Sequence, residues 1–300
     1  MADSSGQADI RGLDIDKLAK GFADEENVFK KYVTVTNTSA REIRWYKKTN
    51  GFLDTTTTSG ITKSGINPAA SGTRPEVVEQ SWTRQTSYVQ KFFVESPTIS
   101  QEDIKDSDID ILATNVRDLV KAVGRKVDLR IFSILNEASE ATPTVPNPTN
   151  VNTAAATGTG WDDETNGNPV KDLLVGKRKM RQAGYDPKGA IVSMNSIEHE
   201  FLIDYLIRNG SNTPQYATEK LKDGVVMALL GCNVVVTENQ TTDYITMWIP
   251  RKACTWKQFM PLTAHVMDDP GIGKKIRVWE EGEAILTDPK AVHIITDTTT

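Results

Sequence analysis

Apolar residues recur at intervals of three and four through "DIDILATNVRDLVKAVGRKVDLRIFSIL" (108–135). Ile109, Leu112, Val116, Leu119, Val120, Val123, Val127, Ile131 and Leu135 then share one face of an α-helix. Asp103, Asp106, Asp108 and Asp110 crowd the expected first turns, where the helix dipole favours negative charge. Arg125, Lys126 and Arg130 lie toward the far end. The spacing predicts a helix over 104–136 with Leu112, Val116, Leu119, Val123, Val127 and Ile131 as its core face. At 1.5 Å per residue it would be roughly 40 Å long. Periodicity alone fits the core helix of any large domain equally well.

Upstream the texture differs. Residues 11–30 hold a short amphipathic signal (Leu13, Ile15, Leu18, Phe22) inside a polar arm. "EIRWYKK" (42–48) and "SWTRQTSYVQKFFV" (81–94) read as strands, with Trp45, Trp82, Tyr88 and Phe92 among polar residues. Between them, residues 49–75 are rich in Thr, Ser and Gly and hold too little apolar content for a core. The pattern predicts a long hairpin, and a loop of that length in a compact domain needs a task.

Downstream, 140–169 is a Thr/Asn/Pro/Ala segment that reads as a boundary or surface excursion. Asn168 and Pro169 open a helix (Val170, Leu173, Leu174, Met180) that stops at Gly184. "YDPKGAIVSMNS" (185–196) predicts a turn and a short buried strand. Asn195 and Glu198 form a capping-box pattern for a helix ending at Asn209-Gly210. The last third reads as strands: "NVVVTEN", "YITMWIP", "PLTAHVM", "KKIRVWEEGEAILT" and "AVHIIT". The predicted class is α+β.

Composition narrows the function classes. The 300 residues suit one large domain or two modest ones, and 38% hydrophobic with 25% charged content is that of a soluble globular chain. A net charge of -5 lacks the basic excess of a protein that grips nucleic acid through its phosphates. No apolar run approaches the roughly 20 residues of a membrane span, so no membrane partner is expected. The start, "MADSSGQADI", shows no secretory signal. Cys232 and Cys254 make no disulfide framework and read as small buried residues of a reducing compartment.

Chemical motifs fail one by one. "DSDID" begins like a calcium loop, but Ile111 and Arg117 stand where glycine and glutamate are needed. "HEFLI" has Ile203 in place of a second histidine, and His199, His265 and His293 are far apart. The Gly-Lys pairs at Gly176 and Gly273 lack the rest of a phosphate loop, and no nucleophile elbow occurs. Asp162, Asp163 and Glu164 are adjacent carboxylates, which do acid–base work only when held in a cleft. No catalytic, metal or cofactor residues are therefore assigned.

Taken in order, these pieces resemble the major capsid protein of tailed phages and related viruses, with the Hong Kong 97-type fold. "FFVESPTISQEDIKDSDIDILATNVRDLVKAVGRKVDLRIFSIL" is similar to that family's passage from extended loop to spine helix. "VKDLLVGKRKMRQAGYDPKGAIVSMNSIEHEFL", "LLGCNVVVTEN" and "VWEEGEAILTDPKAVHIIT" resemble its axial domain and closing strands. The resemblance implies an N-terminal arm (1–40) and an extended loop (41–97). It implies a peripheral domain (98–137 and 258–300, with spine helix 104–136), a surface linker (138–164) and an axial domain (165–257). It further implies a non-enzymatic subunit that assembles with itself, as pentamers and hexamers, into an icosahedral shell around double-stranded DNA. Contact with that DNA would be weak and nonspecific, which suits an acidic chain. Separate scaffold, portal and decoration proteins would be partners, since about 100 residues before the spine leave no room for a fused scaffold. The place would be the virion capsid, assembled in the host cytoplasm.

Residues implied at contacts between subunits are Trp45, Lys47, Phe52, Leu53, Lys63 and Trp82 on the loop. Asp268, Asp269, Lys274 and Lys275 would form a hairpin tip meeting its copies at local three-fold axes. Some members cross-link a loop lysine to an asparagine; Lys47, Lys48 and Lys63 lie in that region, and no cross-link is assigned. Rival readings are an encapsulin-type compartment, a small hydrolase using residues 162–164, and a tail or fibre component.

Overall fold

The structure, a computed structural model, describes residues 29–48, 55–57, 60–62, 71–72, 74, 82–106, 111–209 and 228–299. The apolar stripe forms helix α2 (Ile111–Leu135), 25 residues and so about 37 Å long. Upstream, residues Gln101–Asp106 form helix α1, and Ser100 Oγ accepts from Asp103 N at 3.0 Å at its start. Asp108 and Asp110 lie outside the described residues.

Two sheets organise the rest. In the first, β1 (Thr34–Asn37), β13 (Cys254–Asp269), β14 (Gly273–Leu286) and β6 (Gln90–Glu95) lie side by side, and β7 (Ile99–Ser100) also pairs with β14. β13 and β14 are one long antiparallel hairpin turning at Gly271, whose φ of 80° suits glycine. The N-terminal half of α2 lies on this sheet. Val123 is buried with Ile99, Ile276 and Val278, while Leu112, Val116, Leu119 and Val120 are half-buried around them.

The second sheet has the order β10 (Ala228–Leu229), β11 (Cys232–Val236), β9 (Ile191–Met194), β12 (Tyr244–Trp248), β15 (Val292–Thr296) and β8 (Asn152–Ala155). Both of its faces are covered. Val192, Met194 and Ile295 pack with Leu173 and Met180 of α3 (Pro169–Gln182) and Leu202 of α4 (Ser196–Arg208). Ile191, Trp248 and Ile294 pack with Val127, Ile131, Phe132 and Leu135 at the far end of α2. That double burial explains why β9 is apolar at most positions without alternation. Asn168 and Asn195 cap α3 and α4 by accepting from Lys171 N at 3.0 Å and Ile197 N at 3.2 Å.

Two expected boundaries are corrected. Residues 292–296 do not join the first sheet; β15 sits between β12 and β8 in the second. Nor is 138–164 a surface linker. Its β8 pairs in parallel with β15, and Trp161 is buried, its indole donating to the Asp172 carboxylate at 2.8 Å. Thr157 N donates to the same carboxylate at 3.1 Å. Glu137 ties the segment's other end, accepting from Thr149 N at 2.7 Å and Asn150 Nδ2 at 2.7 Å.

Candidate assembly interface

The hairpin predicted from the Thr-rich stretch has a paired stem, β2 (Glu42–Lys48) and β5 (Trp82–Tyr88), in register from Glu42↔Tyr88 to Lys48↔Trp82. It forms a two-stranded sheet of its own. Ile43 is buried and Trp45 half-buried, with the indole donating to Ser87 Oγ at 3.1 Å. Tyr46 and Tyr88 are 61% and 67% exposed. A lone two-stranded ribbon is marginal in water, and among the described residues no third strand pairs with it to cover these aromatic groups. Farther out, β3 (Thr55–Thr57) pairs with β4 (Gly60–Thr62). Lys47 and Trp82 stand at the outer end of the stem, opposite Thr83 and Lys48; Phe52, Leu53 and Lys63 lie outside the described residues.

The stem runs through Val89 into β6 and is tied down at its base, where Val89 N donates to Arg41 O at 2.9 Å. Arg41 and Lys91 approach the buried Glu281 at 3.6 and 3.5 Å. Glu281 is one of three buried carboxylates on β14, none of which the sequence reading singled out. Glu280 receives Lys30 Nζ at 2.5 Å and the Trp256 indole at 3.2 Å. Glu283 receives Arg130 Nη2 at 2.8 Å and Nε at 3.1 Å. Burial pushes the Glu283 carboxyl pKa up, and the Arg130 guanidinium opposes it. Lys30 from the arm range, Arg41 and Lys91 at the hairpin base and Arg130 of the long helix thus each place a cation on one strand. A charge in this setting is tolerated because it is paired. "EEGE" inside an apolar strand was the available signal, but its partners are up to 250 residues away.

At the far end of the β13–β14 hairpin, Asp268 faces Lys274 and Asp269 faces Gly273 across the ladder. Asp268 and Asp269 are exposed, and among the described residues neither they nor Lys274 has an ion-pair partner; Lys275 lies 3.9 Å from Glu95. Phe93, 49% exposed, stacks on Trp279 with centroids 6.5 Å apart and lies under Lys91 and Arg277. It is a further exposed apolar position that sequence reading missed within "FFV".

The adjacent acids at 162–164 differ in setting: Asp162 and Asp163 are half-buried and Glu164 is exposed. Asp163 Oδ1 accepts from Thr165 N at 2.8 Å and Asn166 N at 3.2 Å, and Oδ2 from Thr159 Oγ1 at 2.7 Å, so its pKa is driven down by its own loop. Glu164 is exposed, 4.0 Å from Arg208. Among the described residues no group of three or more acidic, Cys or His side chains could hold a metal, and no helix is long and apolar enough to cross a membrane.

A family model for phage capsid protein matches residues 93–292, two thirds of the sequence. The chain belongs to that family. No curated protein matches the sequence. Among solved structures the phage capsid protein is similar to Mycobacterium phage Che8, at 15% identity and TM-score 0.63 over 96% of this chain and 99% of that one. The capsid structure of Cyanophage P-SCSP1u gives 10% identity and TM-score 0.65 over 93% and 91%. A virus-like particle from Pyrococcus furiosus gives 11% and 0.52 over 88% and 90%. At such identities these likenesses show the fold, which is the Hong Kong 97-type. A major capsid protein forms a shell, so the surfaces that matter are those through which one copy meets the next.

Proposed function

We propose that this major capsid protein builds a closed icosahedral shell of pentamers and hexamers around double-stranded DNA, without catalysing a reaction. One observation carries the reading: the β2–β5 ribbon pairs with no further strand among the described residues and exposes Tyr46 and Tyr88. A neighbouring copy supplies that layer. In this reading Trp45, Lys47, Phe52, Leu53, Lys63 and Trp82 line the overlap, and Asp268, Asp269, Lys274 and Lys275 pair between tips around three-fold axes. Opposite charges on one tip support the pairing, each exposed pair contributing about 0–1 kcal/mol and the closed symmetry summing many of them. The arm (1–40), loop (41–97), peripheral unit and axial unit follow the two sheets, with the boundaries as corrected above. Scaffold, portal and decoration proteins would join the shell in the host cytoplasm, and the finished place is the virion.

Hydrogen exchange compared between free subunits and particles tests the overlap. Amides of 42–88 slow markedly in particles if a neighbour covers them; equal exchange in both states contradicts it. Nuclease treatment tests the contents. Particles recovered from the producing host retain duplex DNA after digestion, whereas particles filled with protein cargo would overturn the packaging reading.

A further inference from the structure

Lys126, Leu129, Arg130 and Ser133 recur at intervals of three and four and so share one face of the C-terminal half of α2. With Gln90 and Phe92, alternate residues of β6, and Glu140 beyond the helix end, that face walls a pocket of about 290 Å³. Small-ligand sites run from about 300 to 1,000 Å³, so this one suits a compact molecule. Phe92 and Leu129 give it apolar walls, and both also pack against the buried core, which holds them in place.

The polar groups around those walls have unused hydrogen-bonding capacity. Ser133 is 1% exposed, and its Oγ has no hydrogen-bond partner among the described residues, a state that a buried hydroxyl seldom keeps. Arg130 gives Nε and Nη2 to Glu283, while Nη1 has, among the described residues, Glu140 alone at 3.6 Å. That is beyond hydrogen-bond length, and Glu140 is 82% exposed, so its carboxylate rests loosely at the pocket rim. Lys126 is exposed and Gln90 half-buried, and among the described residues neither side chain has a hydrogen-bond or ion-pair partner. Two cations, an amide and a hydroxyl thus offer donors beside an apolar surface. A carboxylate accepts such donors with both oxygens, and charge-assisted bonds are the stronger kind. An inorganic anion would leave Phe92 and Leu129 unused.

We propose that this pocket is a carboxylate-binding site. An acid group on a compact apolar body takes the place of Glu140 at Arg130 Nη1, with Lys126 one helical turn before it and Ser133 one turn after, and its body lies on Phe92 and Leu129. That chemistry has two sources, a free small organic acid or an acidic side chain of a second copy. The site is complete on one subunit, so it stands apart from the contents and geometry of the shell.

Titrating unassembled full-length subunits with para-fluorobenzoate, followed by fluorine NMR, tests it. The dissociation constant should be on the order of 1 mM. Lys126→Ala should weaken binding roughly tenfold and Ser133→Ala roughly three- to tenfold, while Glu140→Gln, which removes the resident carboxylate, should tighten it severalfold. Ser133→Ala should leave the urea midpoint of the free subunit unchanged or higher, since it deletes an unpaired buried hydroxyl. The exposed control Lys188→Ala should bind as the parent does. Unchanged binding in Lys126→Ala and Ser133→Ala, an equal loss in Lys188→Ala, or equal affinity for para-fluorobenzamide or inorganic phosphate overturns the proposal. Two further arms separate the sources. Particles from the producing host that release a small organic acid on denaturation point to a free ligand. Assembly suppressed by saturating para-fluorobenzoate, and likewise by Lys126→Ala, points to a second copy. If the particles carry no such acid and assembly is indifferent to both, the pocket is a solvent notch and the proposal fails.

Discussion

Replacing Arg130 with methionine isolates the carboxylate that the long helix must neutralise. Glu283 is 1% exposed, its Oε1 takes both Arg130 bonds, and its other near charge, Glu140, is of like sign. Without Arg130 the carboxyl either stays ionised in a poor medium, which costs about 3–5 kcal/mol when a buried pair is broken, or takes up a proton. Protonation sets the ceiling. From the unperturbed 4.5 to pH 7 is 2.5 pH units, so neutralising the group costs at most about 3.4 kcal/mol at pH 7 and about 0.7 kcal/mol at pH 5. A carboxyl whose folded pKa lies above 4.5 binds more protons folded than unfolded. The variant therefore loses stability as pH rises above 4.5 and regains it on acidification. Urea unfolding of unassembled subunits, followed by tryptophan fluorescence, should show Arg130→Met down by about 2–3 kcal/mol at pH 7 and by less than about 1 kcal/mol at pH 5. Adding Glu283→Gln should recover most of the pH 7 loss and abolish the difference. An equal loss at both pH values, or none at pH 7, would refute the reasoning.

His293 is buried beside Lys179, and burial holds its pKa down to about 3, so its contribution is whole above 6.5 and is lost as pH falls toward 3. That amounts to about 2 kcal/mol at pH 5, and thermal melts of His293→Leu should show a correspondingly flatter acid limb. Gly176 leaves room for that ring: a Cβ there would stand 2.6 Å from His293 Cδ2, so Gly176→Ala should cost about 1–3 kcal/mol by chemical denaturation. Trp161→Ala should cost about 3–5 kcal/mol and make the 138–164 segment protease-sensitive, since it removes a buried indole and one donor to Asp172.

Local periodicity made α2 legible, and side-chain caps made Asn168 and Asn195 legible, because those signals sit within a few residues of the structure they specify. The β13–β14 hairpin was readable for the same reason, from alternation around a Pro-Gly turn. Strand β8 was not. Its "NTAA" has no large apolar side chain and owes its place to β15, about 140 residues later. The same distance hid the exchange of β15 into the second sheet and the cations that permit Glu280, Glu281 and Glu283 to be buried. Trp161 stood among Thr, Gly and Asn, and only its bond to Asp172 reveals it as part of the second core. For the proposed assembly contacts, sequence reading supplies only the polarity and length of the stretch between the two stem strands.

The most direct test of those contacts replaces residues 52–73 with a short Gly-Ser turn and measures two things on one preparation. If the hairpin belongs energetically to a neighbouring copy, thermal unfolding of the free subunit stays nearly unchanged while sedimentation and negative-stain images show closed shells lost or deformed. Normal shells from the shortened chain, or a free subunit that unfolds, would contradict it.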